Sequence, residues 1–277
     1  MIKIFVDSGS SIKKEERALY NVEVLPLKIL LNDKEYLDGE NLEMEEFYKA
    51  LIDDKAFPKT SLPSLEEAEN RVNECVKQGY DVVIITISSG ISGTHNALNM
   101  LFKDNAHVRV IDSQTAVGGI KILVKELNKY LNESLDFVEE KLNQLIPRIK
   151  VLAVPETLDY LHKGGRLSRA GWAVGTLLRI KPIIELKYGV KVANKALGIK
   201  SAMRFILSQL ENCDTDYPIV PSYTYSTINL DEMMVKTKEK YLNIMTEKDN
   251  IDPAVAAHWG PNAFGYIYVE KEVKFNN

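Results

Sequence analysis

Cysteine is scarce in this chain, whose 277 residues include only Cys75 and Cys213. The two lie far apart and outside any CxxC spacing, so we expect small apolar fillers in a reducing cytoplasm and not a disulfide framework. Histidine is also rare: the four histidines show no HxxxH or HxH spacing. We therefore expect no metal site.

Long apolar runs and a strong net charge are missing as well. The longest run of apolar residues and threonine is VVIITI at 82–87, which is strand length and far short of the ~20 residues of a membrane span. The N-terminal MIKIFVDS is too short for a signal peptide. The formal net charge is −4, so no global basic field attracts nucleic acid. We expect a cytoplasmic protein with no integral membrane segment and no nucleic-acid partner, in which a few local donors form any anion site.

The first half of the chain alternates strand-like and helix-like segments. Strands are predicted at 2–6, within 22–31 with an interruption at Pro26, at 82–87 and at 108–111, with helical patterns between and after them. Ser64, with Glu67 three residues later, is typical of a helix start. This alternation predicts βαβ units around a mainly parallel sheet flanked by helices, in an α/β domain spanning 1–149.

The second half predicts another α/β unit, 150–277, with a mixed sheet and helices. Two strands meet at a Tyr188-Gly189 turn, and helices are predicted near 200–210 and 230–243, the latter with Asn229 and Glu232 as a capping pair. Further strands are predicted at 151–156, 217–223, 253–258 and 264–269.

Small hydroxyl residues and glycine follow several predicted strands, which is where ligands bind in open parallel sheets. The turn SSGISGT at 88–94 leads from a strand into a helix, so Ser92 and the N–H of Gly93 are candidates for an anion site. Helix capping by Ser92 or Thr94 is the structural alternative. Thr60 and Ser61 are further candidate donors, whereas Ser64 is explained as a helix cap.

Two later segments are also candidates. Gly164 is a natural helix end, Gly165 permits a second bend, and Arg166 and Arg169 follow directly. These arginines suit an anion or an acidic partner. His258 lies between small residues and a Gly-Pro turn, at the end of a predicted strand.

An enzyme is the main alternative from the residues alone. Gly90-Ile91-Ser92-Gly93-Thr94 resembles the hydrolase elbow G-x-S-x-G but lacks its last glycine. His258 is a candidate base, yet no pattern identifies its orienting carboxylate. A serine hydrolase or acyltransferase using Ser92 stays open as an alternative, as does a carrier of another amphipathic carboxylate.

Together the motifs resemble the DegV family, whose members include the fatty-acid-binding subunit of bacterial fatty acid kinase. The resemblance covers nearly the whole chain, in order: VDS at 6–8, TSLPS at 60–64, ISSGISGTHNA at 87–97, VIDSQTA at 110–116, LDYLHKGGRLS at 158–168, IKPII at 180–184 and AAHWGPNAFG at 256–265.

The resemblance implies two α/β domains with a long-chain fatty acid between them, its tail in an apolar tunnel. It places the carboxylate at Thr60, Ser92, the Gly93 N–H and His258, and we group the neighbouring Ser61 with them. It implies no intrinsic catalysis and no cofactor besides the bound fatty acid. The chain has no GxxxxGK[ST] phosphate loop, as befits a carrier.

A separate ATP-dependent kinase subunit is the partner that the resemblance implies, docking at the mouth near Arg166. We expect Arg169 and Trp259 to face this mouth or partner too. Trp259 and Asn262 stand where the family usually has a small residue and glycine, and 195–202 offers only Lys195 and Lys200 as basic residues. A chain that binds the fatty acid but has a changed partnership with the kinase subunit is therefore an alternative.

Overall fold

A parallel four-stranded sheet forms the centre of the first half. The structure is a computed structural model that describes residues 1–173 and 179–272. The strands are arranged in the order β2-β1-β6-β7 and every neighbouring pair is parallel. Their bounds are β1 Ile2–Asp7, β2 Val22–Leu25, β6 Asp81–Thr86 and β7 Val108–Asp112.

Six helices accompany this sheet; five follow the predicted helical patterns, and the four-residue α1 was not predicted. The Ser64 side chain accepts a hydrogen bond from the N–H of Glu67, which confirms the predicted cap of α3. The helices are α1 Arg17–Tyr20, α2 Met44–Ile52, α3 Leu65–Lys77, α4 Thr94–Phe102, α5 Gly118–Leu127 and α6 Leu135–Leu145.

A small antiparallel sheet, β4-β3-β5, is an addition that the sequence pattern did not reveal. Pro26 separates β2 from β3, as predicted, but β4 and β5 were missed because each is only three or four residues long. The strands are β3 Lys28–Leu31, β4 Lys34–Leu37 and β5 Lys59–Ser61. Ile29 pairs with Thr60, which fixes Thr60 on a strand.

The second half contains a six-stranded mixed sheet in the order β10-β9-β8-β13-β11-β12. All its pairs are antiparallel except β11 with β12. The strands are β8 Ile149–Val154, β9 Ile180–Lys187, β10 Gly189–Leu197, β11 Val220–Tyr223, β12 Asp249–Asn250 and β13 Phe264–Val269. The helices are α7 Asp159–Lys163, α8 Arg169–Ala173, α9 Ile199–Gln209, α10 Ile228–Tyr241 and α11 Pro253–Trp259.

Two local predictions in this half are wrong. The predicted strand 253–258 is helix α11, because Pro253 suits a first helical position and the following Ala-rich stretch favours a helix. Asn229 and Glu232 do not cap α10. That helix begins at Ile228 with Thr227 as its N-cap, and the Thr227 hydroxyl donates to Asp231.

The α/β fold class is confirmed, with a parallel sheet before residue 149 and a mixed sheet from it onward. The largest buried cluster contains residues of both halves, including Ile85 and Ile120 from the first and Ile184 and Ile267 from the second. The division into domains at 149/150 stays a prediction, and residues 174–178 and 273–277 of the predicted second domain lie outside the described residues. Within the described chain, no helix is both long and apolar enough to cross a membrane.

Candidate functional site

A buried aspartate at the end of β1 holds the start of the loop between β6 and α4 by hydrogen bonding. Asp7 is fully buried and accepts hydrogen bonds from the N–H groups of Ile87, at 2.8 Å, and Gly9, at 2.9 Å. Burial raises the pKa of Asp7 to about 7. The VDS motif at the end of β1 thus fixes where the SSGISGT turn leaves the sheet.

Ser92 and Gly93 lie at the start of α4. Gly93 is the N-cap residue, and the Ser92 hydroxyl accepts from the Thr94 N–H at 3.3 Å and lies 2.9 Å from the Thr94 hydroxyl. Ser92 is half-buried and Gly93 is exposed. The positive end of the helix therefore faces the same region as a small hydroxyl pair.

A hydrogen bond between the two halves of the chain forms the second part of the site. The Thr60 hydroxyl, on β5, lies 2.9 Å from Nε2 of His258, on α11. Burial, followed by the positive charge of Arg166, lowers the pKa of His258 to about 4, so its imidazole is neutral at pH 7. Its Nδ1 is buried without a hydrogen-bond partner among the described residues.

Arg166 joins the loop after α7 to the SSGISGT turn. Its Nε donates to the carbonyl of Ile91 at 2.9 Å, and its Nη1 donates to the carbonyl of Gly164 at 2.5 Å. Gly164 ends α7, as predicted, and Gly165 has a φ of +75°, the bend that a glycine permits. The guanidinium is half-buried at the site.

These residues border a cavity of about 260 Å³ between the two halves. Its polar residues are Thr60, Ser61, Ser92, Gly93, Arg166 and His258. The rest of its wall is apolar: Leu27, Leu62, Ile87, Ile91, Ala116, Leu161, Leu186, Val190, Ala254, Val255 and Trp259. All five candidate carboxylate-binding residues thus lie around one cavity, together with Arg166.

Two candidate residues are placed differently from the other predicted ones. Arg169 is exposed on α8 and is not part of this cavity wall. Trp259, which we expected at the mouth or facing a partner, is only 7% exposed and forms part of the cavity wall. Because 253–259 is a helix packed into the core, where a bulky apolar side chain is stable, little of the indole is exposed to a partner.

The β9–β10 hairpin is part of the site that sequence reasoning missed. Leu186 and Val190 contribute to the cavity wall, and the carbonyl of Tyr188 accepts a hydrogen bond from the Ser88 hydroxyl. The Tyr188 N–H donates to the carbonyl of Gln114 at 2.9 Å. The Tyr188-Gly189 turn was predicted, but no residue signal placed its tip against the first half.

The arrangement has the chemistry of a binding site for a molecule with an anionic head and an apolar body. Hydroxyls, a neutral imidazole, a helix N-terminus and an arginine are grouped at one part of a mostly apolar wall. No cluster of histidine, cysteine, aspartate and glutamate in residues 1–173 and 179–272 could hold a metal ion. Fold and site define an α/β protein with an apolar binding cavity.

The sequence profile of the DegV family, described as uncharacterised, matches residues 1–271. The chain belongs to this family, which confirms the resemblance of its motifs. It is 31% identical to a DegV domain-containing protein of Clostridium acetobutylicum, over 98% of this chain and 99% of that one.

Two solved structures have a similar fold over nearly the whole chain. A fatty-acid-binding DegV family protein from Thermus thermophilus has a TM-score of 0.84 and 27% identity, covering 98% of this chain and 99% of its own. A stearic acid-binding protein from Eubacterium ventriosum has a TM-score of 0.83 and 27% identity over the same shares.

Proposed function

We propose that this chain binds a long-chain fatty acid, with its tail in the apolar cavity and its carboxylate at the polar residues. The observation that carries the proposal is the inter-half contact of Thr60 with His258 beside the N-terminus of α4, at one part of an otherwise apolar wall. Two relatives of similar structure and 27% identity are described as binding a fatty acid and stearic acid.

The polar groups suit a carboxylate. Ser92, Thr60 and the Gly93 N–H are donors that can turn toward an anion, and a neutral His258 can donate from one ring nitrogen. Hydrogen bonds to a charged group contribute about 1.5–3 kcal/mol each. Ser61 is exposed at the edge of the cavity, where it can join this set. The head group would thus be oriented by several short contacts.

The apolar wall supplies most of the binding free energy in this proposal. Each methylene removed from water contributes about 0.8 kcal/mol, so ~15 buried carbons would give on the order of 12 kcal/mol before the costs of association. The tail then determines affinity, and the polar groups determine which end of the ligand lies at the mouth. Another amphipathic carboxylate with a different tail would use the same head site.

The proposal is tested by comparing Ser92→Ala with Ser64→Ala in calorimetric titrations of lipid-free protein with palmitic acid. Loss of one hydrogen bond to the carboxylate is expected to weaken binding by Ser92→Ala about 10-fold to 100-fold. Ser64 caps α3 and is not part of the cavity wall, so its variant should bind like the native protein. Equal affinity of native protein and Ser92→Ala would contradict the assignment.

Binding without catalysis is part of the proposal. The Ser92 hydroxyl contacts Thr94, and Nε2 of His258 contacts Thr60. No carboxylate of the described residues orients the His258 ring, which a Ser-His-acid mechanism needs. A fluorophosphonate probe should therefore leave Ser92 unlabelled, and stable labelling would favour the hydrolase alternative.

Presentation of the carboxylate to a separate ATP-dependent kinase subunit is the further step that the family motifs support. The exposed Arg169 would then contact the partner, whereas Arg166 is held inside the site by Ile91 and Gly164. Arg169→Glu should lower acyl-phosphate formation by a purified DegV-system kinase subunit without changing fatty-acid affinity. Arg204→Glu, an exposed arginine on α9, is the matched control, and equal rates for both variants would contradict this role.

A further inference from the structure

A second, smaller cavity lies directly behind the first. It has a volume of about 20 Å³, enough for about one water-sized group. Three residues, Ala116, Leu186 and Trp259, belong to the walls of both cavities. These three side chains therefore separate the two spaces.

The second cavity leads toward the central strands of the mixed sheet. Small residues create it: Ala153 on β8, the directly paired Gly265 on β13, and Ala263. Most of the remaining wall is apolar, with Val151, Leu152 and Ile267 among its residues. This space could receive a hydrocarbon chain if it were joined to the first cavity.

Trp259 is the largest of the three separating side chains. It follows His258 directly at the end of α11, and it is 7% exposed. The same helix end therefore supplies a proposed head-group residue and part of the wall that the two cavities share. Ala116 has only a methyl group, so the indole and the Leu186 side chain make up most of the wall that the two cavities share.

The first cavity is much the larger of the two. Its volume is about 260 Å³, against about 20 Å³ for the second cavity. Most of the room for a tail therefore lies in the first cavity, where the indole of Trp259 forms part of the wall.

We propose that Trp259 is a specificity-determining residue that ends the tail channel and sets the chain length beyond which added methylenes gain no affinity. This inference rests on the proposed binding of fatty acids. Replacing the indole by a small side chain would join the two cavities and extend the channel under β8 and β13.

The test is a calorimetric affinity series for saturated acids from octanoic to stearic, with lipid-free native protein and Trp259→Ala. Each methylene that the cavity buries should raise affinity about fourfold. We expect this rise to stop at a shorter acid in the native protein than in Trp259→Ala. Trp259→Leu, which keeps an apolar side chain in the core, provides the same comparison if Trp259→Ala fails to fold.

Trp172→Ala is the matched control, because Trp172 stacks on His162 and belongs to neither cavity wall. Its series should stop at the same acid as the native series. A stop at the same acid in the native protein and in the folded Trp259 variants would overturn the inference while leaving fatty-acid binding intact. Failure of every acid to bind any of these proteins would instead overturn the proposed function, and the inference with it.

Discussion

The environment of His258 differs from that of a histidine exposed on the surface. Its ring contacts Thr60 through Nε2, its Nδ1 is buried without a partner among the described residues, and Arg166 lies nearby. A ring that is neutral at pH 7 leaves Arg166 as the positively charged side chain of the cavity wall. Recognition of an anion by His258 then depends on hydrogen bonding.

This environment predicts a pH dependence of stability. The pKa of His258 is lowered from 6.5 to about 4 in the folded chain. Between these values the unfolded chain takes up a proton at this ring and the folded chain does not, so the free energy of unfolding falls as the pH drops. Without ligand, His258→Gln should lose less stability than the native protein from pH 7 to pH 4, by on the order of 2 kcal/mol.

Urea unfolding at a series of pH values measures this effect. Both proteins share all other titrating groups, so the difference between their two curves isolates the contribution of His258. Parallel curves across pH 4–7 would show that the ring titrates normally in the folded chain, which would remove the argument for a neutral donor.

At the residue scale the sequence suggested candidates for the site because each one follows a strand or lies in a recognisable motif, and their role in binding stays a prediction. Thr60, Ser61, Ser92, Gly93 and His258 do meet at one cavity. Their partners could not be predicted: nothing in the spacing shows that Thr60 contacts His258, 198 positions away. The burial of Trp259 could not be predicted, because a bulky residue beside a Gly-Pro turn looks the same in sequence whether it faces inward or outward.

At the scale of elements, the close approach of α7 and α11 positions His258. Two glycines make it possible. A methyl group on Gly164 would lie 2.3 Å from Nδ1 of His258, and one on Gly260 would lie 2.3 Å from the ring of Tyr160. Gly260 also has a φ of +72°, a conformation that side chains disfavour.

Gly164→Ala should therefore disturb the site through α11. The added methyl group has to displace the His258 ring or separate the two helices, so the contact with Thr60 is lost and fatty-acid affinity falls about tenfold. Gly189→Ala is the control, because a methyl group there meets nothing within 4 Å. Calorimetric titration of both variants measures the effect, and an unchanged affinity of Gly164→Ala would show that α11 adapts.

Element prediction failed where elements are short. The apolar run at 253–258 suits a strand or a helix equally well, and seven residues show too little periodicity to decide. The longer α3 and β6, by contrast, were predicted close to their observed bounds. The difference matters for the site, because His258 lies on a helix that contacts β5 and not at the end of a strand.

At the scale of the whole molecule, the second half of the chain is tied to the first around the site. The Asp38 carboxylate accepts from the N–H of Ala254 at 3.0 Å, and the Ser11 hydroxyl accepts from the N–H of Asp252 at 3.1 Å. Lys13 forms an ion pair with Asp252. These contacts hold the start of α11 against the first half, so the position of His258 relative to Thr60 is a property of the whole fold.

The sequence predicted two α/β units, but it did not predict the contacts that join the first half of the chain to the second. Alternation of strands and helices is local information, and it identified both sheets. The buried cluster that spans both halves depends on packing between residues far apart in sequence, such as Ile120 and Ile267. The cavity volume depends on the same packing, so tail length could not be predicted either.

Fatty-acid binding is tested most directly by mass spectrometry of the purified protein, first in the native state and then after solvent extraction. We expect one fatty acid per chain, released by the solvent. A protein that is isolated empty and also takes up no added palmitic or stearic acid would contradict this expectation.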